Sequence, residues 1–293
     1  MRELNWTVPP ADDGRAVRVL IPRRFSLGQH AFRRLKVRGG ILVNGEPVHA
    51  DRILRTGERV TVMLEDSLEG SGLLPEGDAM CRVRYMDSDL LIIAKGAPLA
   101  TLPSIHQRTG TLRELLASQL GIDPAAFRYH PVNRLDKGTS GLLAIARHDH
   151  AQRLLTAQLH TDAFLREYLA VTEGCPADSE GVIDAPIARV GEGARRCVRA
   201  DGKPAVTHYS VEARAGGRAL LRLRLETGRT HQIRVHLAHL GCPIVGDYLY
   251  GTEHPDLPDR FALHSALLAC RQPLTGEALR IEEPLPSELE KLI

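Results

Sequence analysis

The sequence of 293 residues predicts an α+β chain: a large, mostly antiparallel mixed-sheet domain preceded by a small, basic α/β domain. Three observations carry this expectation. Strand-like and helix-like runs mix without a regular βαβ repeat, which argues against a parallel doubly wound sheet. Cationic residues crowd the N-terminal end. An acidic stretch rich in Gly, Ser and Pro, EDSLEGSGLLPEGDA at 65–79, separates that end from the rest. The expected division is a small domain over 1–64 with its core at about 15–64, a linker over 65–79 and a larger domain over 80–293.

The small domain is read from its charge first. Residues 1–64 hold twelve Lys/Arg against six Asp/Glu, an excess of +6, so with a whole-chain formal charge of +2 the remainder carries 2 − 6 = −4. Arg15, Arg18, Arg23, Arg24, Arg33, Arg34, Lys36 and Arg38 follow one another without an intervening acid. A segment of one sign suits contact with a polyanion; the alternative is a solvated helix face in an arginine-rich chain. Next, Asn44-Gly45 between Ile41-Leu42-Val43 and Pro47-Val48 predicts a two-residue hairpin, and Arg59 to Leu64 alternates as a strand.

In the larger domain, VRYMDSDLLIIAK (83–95) reads as two strands about an Asp-Ser-Asp turn. TLRELLASQL (111–120) and DHAQRLLTAQLH (149–160) space their leucines as helices do, with Asp149 as the candidate cap of the second. Phe164 to Val171, Ala205 to Val211 and Leu220 to Leu225 read as strands. ETGRTHQIRVHLAHLG (226–241) reads as a turn leading into a helix that ends at Gly241.

Several function classes are disfavoured. No apolar run approaches the roughly 18 residues of a membrane span, and the first residues lack a signal-peptide pattern, so the expected location is the cytoplasm. Cys81, Cys175, Cys197, Cys242 and Cys270 are odd in number and widely spaced, unlike a disulfide framework or a structural zinc site. His236 and His239 could share a helix face, but no third ligand stands at a convincing spacing. No phosphate-binding Gly-rich loop of the nucleotide type is present.

The stretch NRLDKGTSGLLAIAR (133–147) sets one acid, Asp136, on a tight turn that opens into an apolar strand. On local grounds it is either a turn acid, accepting hydrogen bonds from the backbone of Lys137 to Thr139, or a carboxylate displayed for chemistry at the mouth of a strand. A wider comparison shifts that balance. HPVNRLDKGTSGLLAIAR (130–147) resembles the H-R-L-D-x-x-T-S-G-L-L signature of the RluA-type RNA pseudouridine synthases. REYLAV (166–171), GKPAVTHY (202–209), GRTHQIRVHLAHLGCPIVGDYLYG (228–251), LHSALL (263–268) and PLTGE (273–277) resemble that family's later blocks, in the same order. Residues 41–48 and 56–62 resemble a small RNA-binding domain first known from a ribosomal protein, the S-four fold.

The resemblance implies an enzyme that isomerises specific uridines of structured RNA to pseudouridine, without cofactor or metal. It assigns Asp136 as the catalytic aspartate, Arg234 as its cationic partner with Arg229 the second choice, and Tyr168 as the ring against the flipped base. It also assigns Arg134 as an arginine that enters the RNA stack where the base has left. The residue types suit the task. Uracil must be detached at N1 and rejoined at C5, and a carboxylate can serve there as nucleophile or base. Burial would disfavour its charged form unless a cation stood beside it. Asn133, Gly96 and Gln272 depart from the family pattern, which leaves the exact subfamily and hence the target uridine open; the sequence also leaves open whether Asp136 attacks the sugar, attacks the base or removes a sugar proton. The expected partner is RNA, ribosomal ahead of transfer RNA, met by a monomer. The rival reading is a catalytically silent RNA-binding or ribosome-assembly factor on the same scaffold.

Overall fold

The computed structural model describes residues 2–64, 80–104, 107–124, 127–159 and 161–293. The expected linker at 65–79 lies outside the described residues. The first part contains β1 (Arg2–Thr7), α1 (Val17–Arg24), α2 (Gln29–Val37), β2 (Ile41–Val43), β3 (Glu46–Pro47) and β4 (Arg59–Leu64). These strands form one sheet in the order β1-β4-β2-β3. Asn44 and Gly45 both take positive φ, 53° and 90°, as the two central residues of a tight hairpin turn require.

One expectation for this part needs correction. The core does not begin near residue 15, because β1 pairs along its whole length with β4, from Arg2 opposite Leu64 to Thr7 opposite Arg59. Leu4 and Trp6 alternate inward from β1 and join Val17, Ile21, Val60 and Val62 in one buried cluster. Of the eight cations between Arg15 and Arg38, all but Arg34 are exposed. The helices bury their apolar stripe and leave the charge in water.

The second part runs β5 (Cys81–Met86), β6 (Leu90–Lys95), α3 (Leu112–Gln119), β7 (His130–Pro131), β8 (Ser140–Ala146), α4 (Asp149–Gln158), β9 (Leu165–Glu173), β10 (Glu180–Asp184), β11 (Ile187–Arg189), β12 (Arg196–Val198), β13 (Val206–Ala215), β14 (Arg218–Leu225), α5 (Gln232–His239), β15 (Leu263–Arg271), β16 (Ala278–Glu282) and α6 (Ser287–Glu290). Its main sheet follows the path β10-β13-β14-β9-β15-β8-β6-β5, with β16 on β15 and β7 on β8. The β15–β8 pair is parallel and the other pairs are antiparallel, as the sequence predicts.

Every residue of β6 and β8 is buried, because both faces of the sheet are covered. Leu90, Ile92, Leu142 and Ala144 pack with Ala151 and Leu155 of α4. Leu91, Ile93, Leu143 and Ile145 pack on the other side with Leu112 and Leu116 of α3. The cap of α4 is His148, whose Nδ1 accepts from the Ala151 N–H at 3.1 Å, and not Asp149. Asp149 is instead the first helical residue, where a carboxylate meets the positive end of the helix dipole, and it ion-pairs with Arg34 of α2.

Candidate active site

The loop that carries Asp136 is held by two hydrogen bonds. The Thr139 N–H closes its turn on the Asp136 carbonyl at 3.1 Å, and the Thr101 hydroxyl donates to the Leu135 carbonyl at 2.7 Å. Two glycines let it approach the core. At Gly138 a Cβ would stand 2.6 Å from the Phe261 ring, and at Gly141, with φ of +103°, it would stand 2.2 Å from the Ser265 carbonyl oxygen. Gly141 lies opposite Ser265 in the parallel β8–β15 pair, so this crossing needs a residue without a side chain.

Among the described residues the Asp136 carboxylate does not bond to its own turn; its hydrogen-bond partner is Arg234. Arg234 Nη1 donates to Asp136 Oδ2 at 3.3 Å, although 98 positions separate the two residues. The guanidinium also grips Asp247 with two bonds, Nε to Oδ2 at 2.7 Å and Nη2 to Oδ1 at 2.8 Å. Asp247 Oδ1 further accepts from the backbone N–H groups of Leu249 and Tyr250 at 3.1 and 3.2 Å. Below, the guanidinium carbon stands 4.1 Å from the Phe261 ring centre. Burial by itself would lower the pKa of Arg234; the bonds and charge of Asp247, joined by Asp136, outweigh it and raise the pKa above the ordinary arginine range. The result is a fixed cation, 3% exposed, turned toward a carboxylate that is 19% exposed.

His231, at the N-cap of α5 with φ of +59°, brings Nε2 to 3.9 Å from Asp136 Oδ2. Its Nδ1 shares a 2.9 Å hydrogen bond with the Tyr250 hydroxyl. Burial pushes its pKa below the ordinary histidine range, Asp136 pulling the other way and Arg234 adding to the depression. Beneath the loop, the buried Lys95 ammonium donates to the carbonyls of Gly96, Leu99 and Lys137 at 2.9, 2.8 and 3.4 Å. Burial pulls its pKa down to about 7, against the attraction of Asp136.

Asp136 opens into a cavity of about 300 Å³. Tyr168, buried on β9, lines the same cavity, as do Arg134, Arg229, Arg166 and Leu263. Burial raises the Tyr168 pKa, so its hydroxyl stays protonated. The cavity has the scale of a nucleobase with its sugar, and its lining combines apolar side chains such as Leu135, Ile233 and Leu263 with the charged Asp136, Arg166 and Arg234.

Comparison with known proteins decides what this arrangement belongs to. A profile described as RNA pseudouridylate synthase matches residues 99–239, a span holding Asp136, Tyr168 and Arg234. An RNA pseudouridine synthase of Bacillus subtilis is 39% identical over 255 residues, covering 86% of this chain and 83% of its own length. The chain belongs to the RNA pseudouridine synthase family. Its members are isomerases that convert uridine to pseudouridine in RNA. The ribosomal large subunit pseudouridine synthase D of Xanthomonas campestris is 39% identical over 269 residues, 87% of this chain and 80% of that one. Among solved structures, the human RNA pseudouridylate synthase domain containing 1 superposes with a TM-score of 0.58 at 26% identity, covering 72% of this chain and 86% of the other.

Within this family fold, the residues predicted from sequence fall in two groups. Asp136, Tyr168 and Arg234 converge on the cavity interior. Arg134 and Arg229 line the cavity too but are not buried, Arg134 being exposed and Arg229 half-buried with its Nε tied to the Pro204 carbonyl at 2.9 Å. Three contributors escaped the sequence reading. Asp247 lay inside the quoted block, but only its position beneath Arg234 gives it a task. His231 and Arg166 carried one available signal, their places within Gly-Arg-Thr-His and Arg-Glu-Tyr. Two of the three departures from the family pattern make hydrogen bonds within the fold: Asn133 Oδ1 accepts from the Ala144 N–H at 3.0 Å, and Gln272 Nε2 donates to Asp87 and Asp89 at 3.1 and 2.7 Å. His236 is occupied at both nitrogens, by Thr207 and the Ala185 carbonyl.

Proposed function

We propose that this chain isomerises specific uridines in structured RNA, ribosomal ahead of transfer RNA, with Asp136 as the catalytic carboxylate. The observation that carries the proposal is the Asp136–Arg234–Asp247 arrangement at a cavity shared with Tyr168. Arg234 fixes the direction of the Asp136 carboxylate, while Asp247 fixes Arg234. The open side of the carboxylate faces the space where a flipped uridine would bring C1′ and C6. Tyr168 offers its ring to the base, and such stacking supplies roughly 1–3 kcal/mol toward the cost of unstacking. Arg134, exposed on the cavity lining, fills the gap left in the RNA stack. The ribosomal preference is supported by the named activity of the Xanthomonas relative.

Residues 1–64 form the RNA-docking domain in this reading, with a linker over 65–79 and the catalytic domain over 80–293. Seven exposed cations in its helical segment offer the screened, additive phosphate contacts that polyanion binding uses. The enzyme acts as a monomer in the cytoplasm; among the described residues no helix is long and apolar enough to cross a membrane. The test incubates bulk bacterial ribosomal and transfer RNA, tritiated at uridine C5, with the protein. Wild type releases tritium, faster from ribosomal RNA, and Asp136→Asn slows release by about 10³-fold or more with the fold intact. RNA binding without release by wild type would establish the silent-scaffold reading instead.

A further inference from the structure

Among the described residues, Arg166 is a buried cation without an anion. It is 9% exposed, and its Nε is buried without a hydrogen-bond partner. Among the described residues its guanidinium makes no hydrogen bond and no ion pair; the guanidinium carbon stands 5.9 Å from the centre of the Phe164 ring. The two other arginines buried beside this site each hold a carboxylate, although Arg260 Nε, like Arg166 Nε, is buried without a hydrogen-bond partner. Arg234 holds Asp247 and Asp136, and Arg260 holds Glu288 and the Ser140 hydroxyl. An Nε–H withdrawn from water without an acceptor costs the fold stability, and the two terminal nitrogens, which are not buried in the same way, are left free to meet an anion in the cavity.

Its position shows what could do so. Arg166 and Tyr168 are two apart on β9, so both side chains leave the same face of the sheet, one repeat or roughly 7 Å apart, and both line the catalytic cavity. That spacing matches the scale on which a nucleotide separates its base from its phosphate. On the far side stands Gly228, whose missing Cβ would sit 3.5 Å from Arg166 Nη1, so the chain adds no side chain against that edge of the fork.

We propose that Arg166 binds a phosphodiester of the substrate strand next to the flipped uridine. This rests on the reading of the cavity as the uridine site. A uracil carbonyl would leave the buried charge uncompensated, whereas a phosphodiester carries a full negative charge and two oxygens matched to the guanidinium fork. Arg166 then anchors the backbone while Tyr168 receives the base, fixing the nucleotide at two points before Asp136 acts.

The test compares the full-length wild type with Arg166→Met and Arg166→Lys. The readout is kcat/KM for tritium release from C5-tritiated ribosomal RNA between 50 and 200 mM salt, concentrations over which phosphate contacts are strongly screened. Arg166→Met should lower kcat/KM about tenfold or more at the low-salt end. It should also flatten the log–log salt slope by about 0.7–0.9, the share of one phosphate contact. Arg166→Lys should keep the slope. Because the replaced charge is unpaired, the Tm of Arg166→Met should equal or exceed that of wild type, an outcome a structural role would not give. An unchanged slope, or a lowered Tm in both variants, overturns the proposal. Absence of release by wild type would remove the uridine reading itself, whereas normal release by Arg166→Met would remove only the phosphate contact.

Discussion

Arg18 on the first helix and Arg234 on the fifth differ in exposure, 61% against 3%, and each has a carboxylate partner. Arg18 reaches Asp51 across solvent, where side-chain entropy and screening leave such pairs worth about 0–1 kcal/mol. Arg234 is clasped by two bonds to an Asp247 that is itself fully buried and tied to two backbone N–H groups. The first setting yields a diffuse field that many phosphates can share. The second yields one direction for one charge. Breaking a buried pair leaves its partner stranded, so the two halves of the molecule should answer substitution on different scales.

The largest effect is expected at the buried clasp. Asp247→Asn leaves Arg234 half-paired out of water and should destabilise the fold by about 3–5 kcal/mol, read from urea unfolding, while slowing tritium release about a hundredfold. A variant with normal stability and rate would mean that Asp247 does not hold Arg234 in place. A smaller effect of the same kind is expected at His264, which is buried on β15 beside the end of the Asp136 loop. Its ring nitrogens meet the Ser140 hydroxyl at 2.8 Å and the Glu283 carbonyl at 3.2 Å, and burial pushes its pKa down to about 4. Between pH 6.5 and 4 the unfolded chain therefore takes up a proton that the folded chain excludes. Stability present above pH 6.5 is lost as pH falls through this window, by up to about 3 kcal/mol. Urea titrations at pH 7 and 4.5 should show a shallower loss for His264→Gln than for wild type; parallel curves would contradict the assignment.

The smallest change in stability belongs to the exposed face. Replacing Arg23, Arg33 and Arg38 together with Gln should move Tm by a degree or two, since surface substitutions usually fall within about ±0.5 kcal/mol. The same variant should weaken RNA binding roughly tenfold at 50 mM salt and much less at 200 mM. Equal affinity loss at both salt concentrations would show that these side chains act through shape and not charge.

Much of the architecture is legible locally. The Asn44-Gly45 hairpin, the alternating strand at Arg59–Leu64, the amphipathic helices Leu112–Gln119 and Asp149–Gln158 and the buried run at Ser140–Ala146 each follow from neighbours in sequence. Strand Arg2–Thr7 was missed because its apolar residues, Leu4 and Trp6, are too few to announce a strand without the partner that covers them. Strand Leu263–Arg271 was quoted as a motif but not recognised as the central element between β9 and β8. Periodicity says which face of a strand is apolar and is silent on which edge it meets.

For the site, the sequence by itself determined the chemistry on offer: a carboxylate on a glycine-flanked turn, a tyrosine on a strand and an arginine on a helix. These depend on residue type and local backbone, both written in short stretches. Tertiary structure alone decided that Asp136 and Arg234 meet across 98 positions, that Asp247 rather than solvent pairs with Arg234, and that Arg166 Nε is buried without a partner among the described residues. Pairing and desolvation depend on what surrounds a charge once strands distant in sequence have joined, and no local pattern encodes that surrounding. Asp136 could be read as a turn acid for this reason: the cation that draws its carboxylate away from the turn arrives only with the fold.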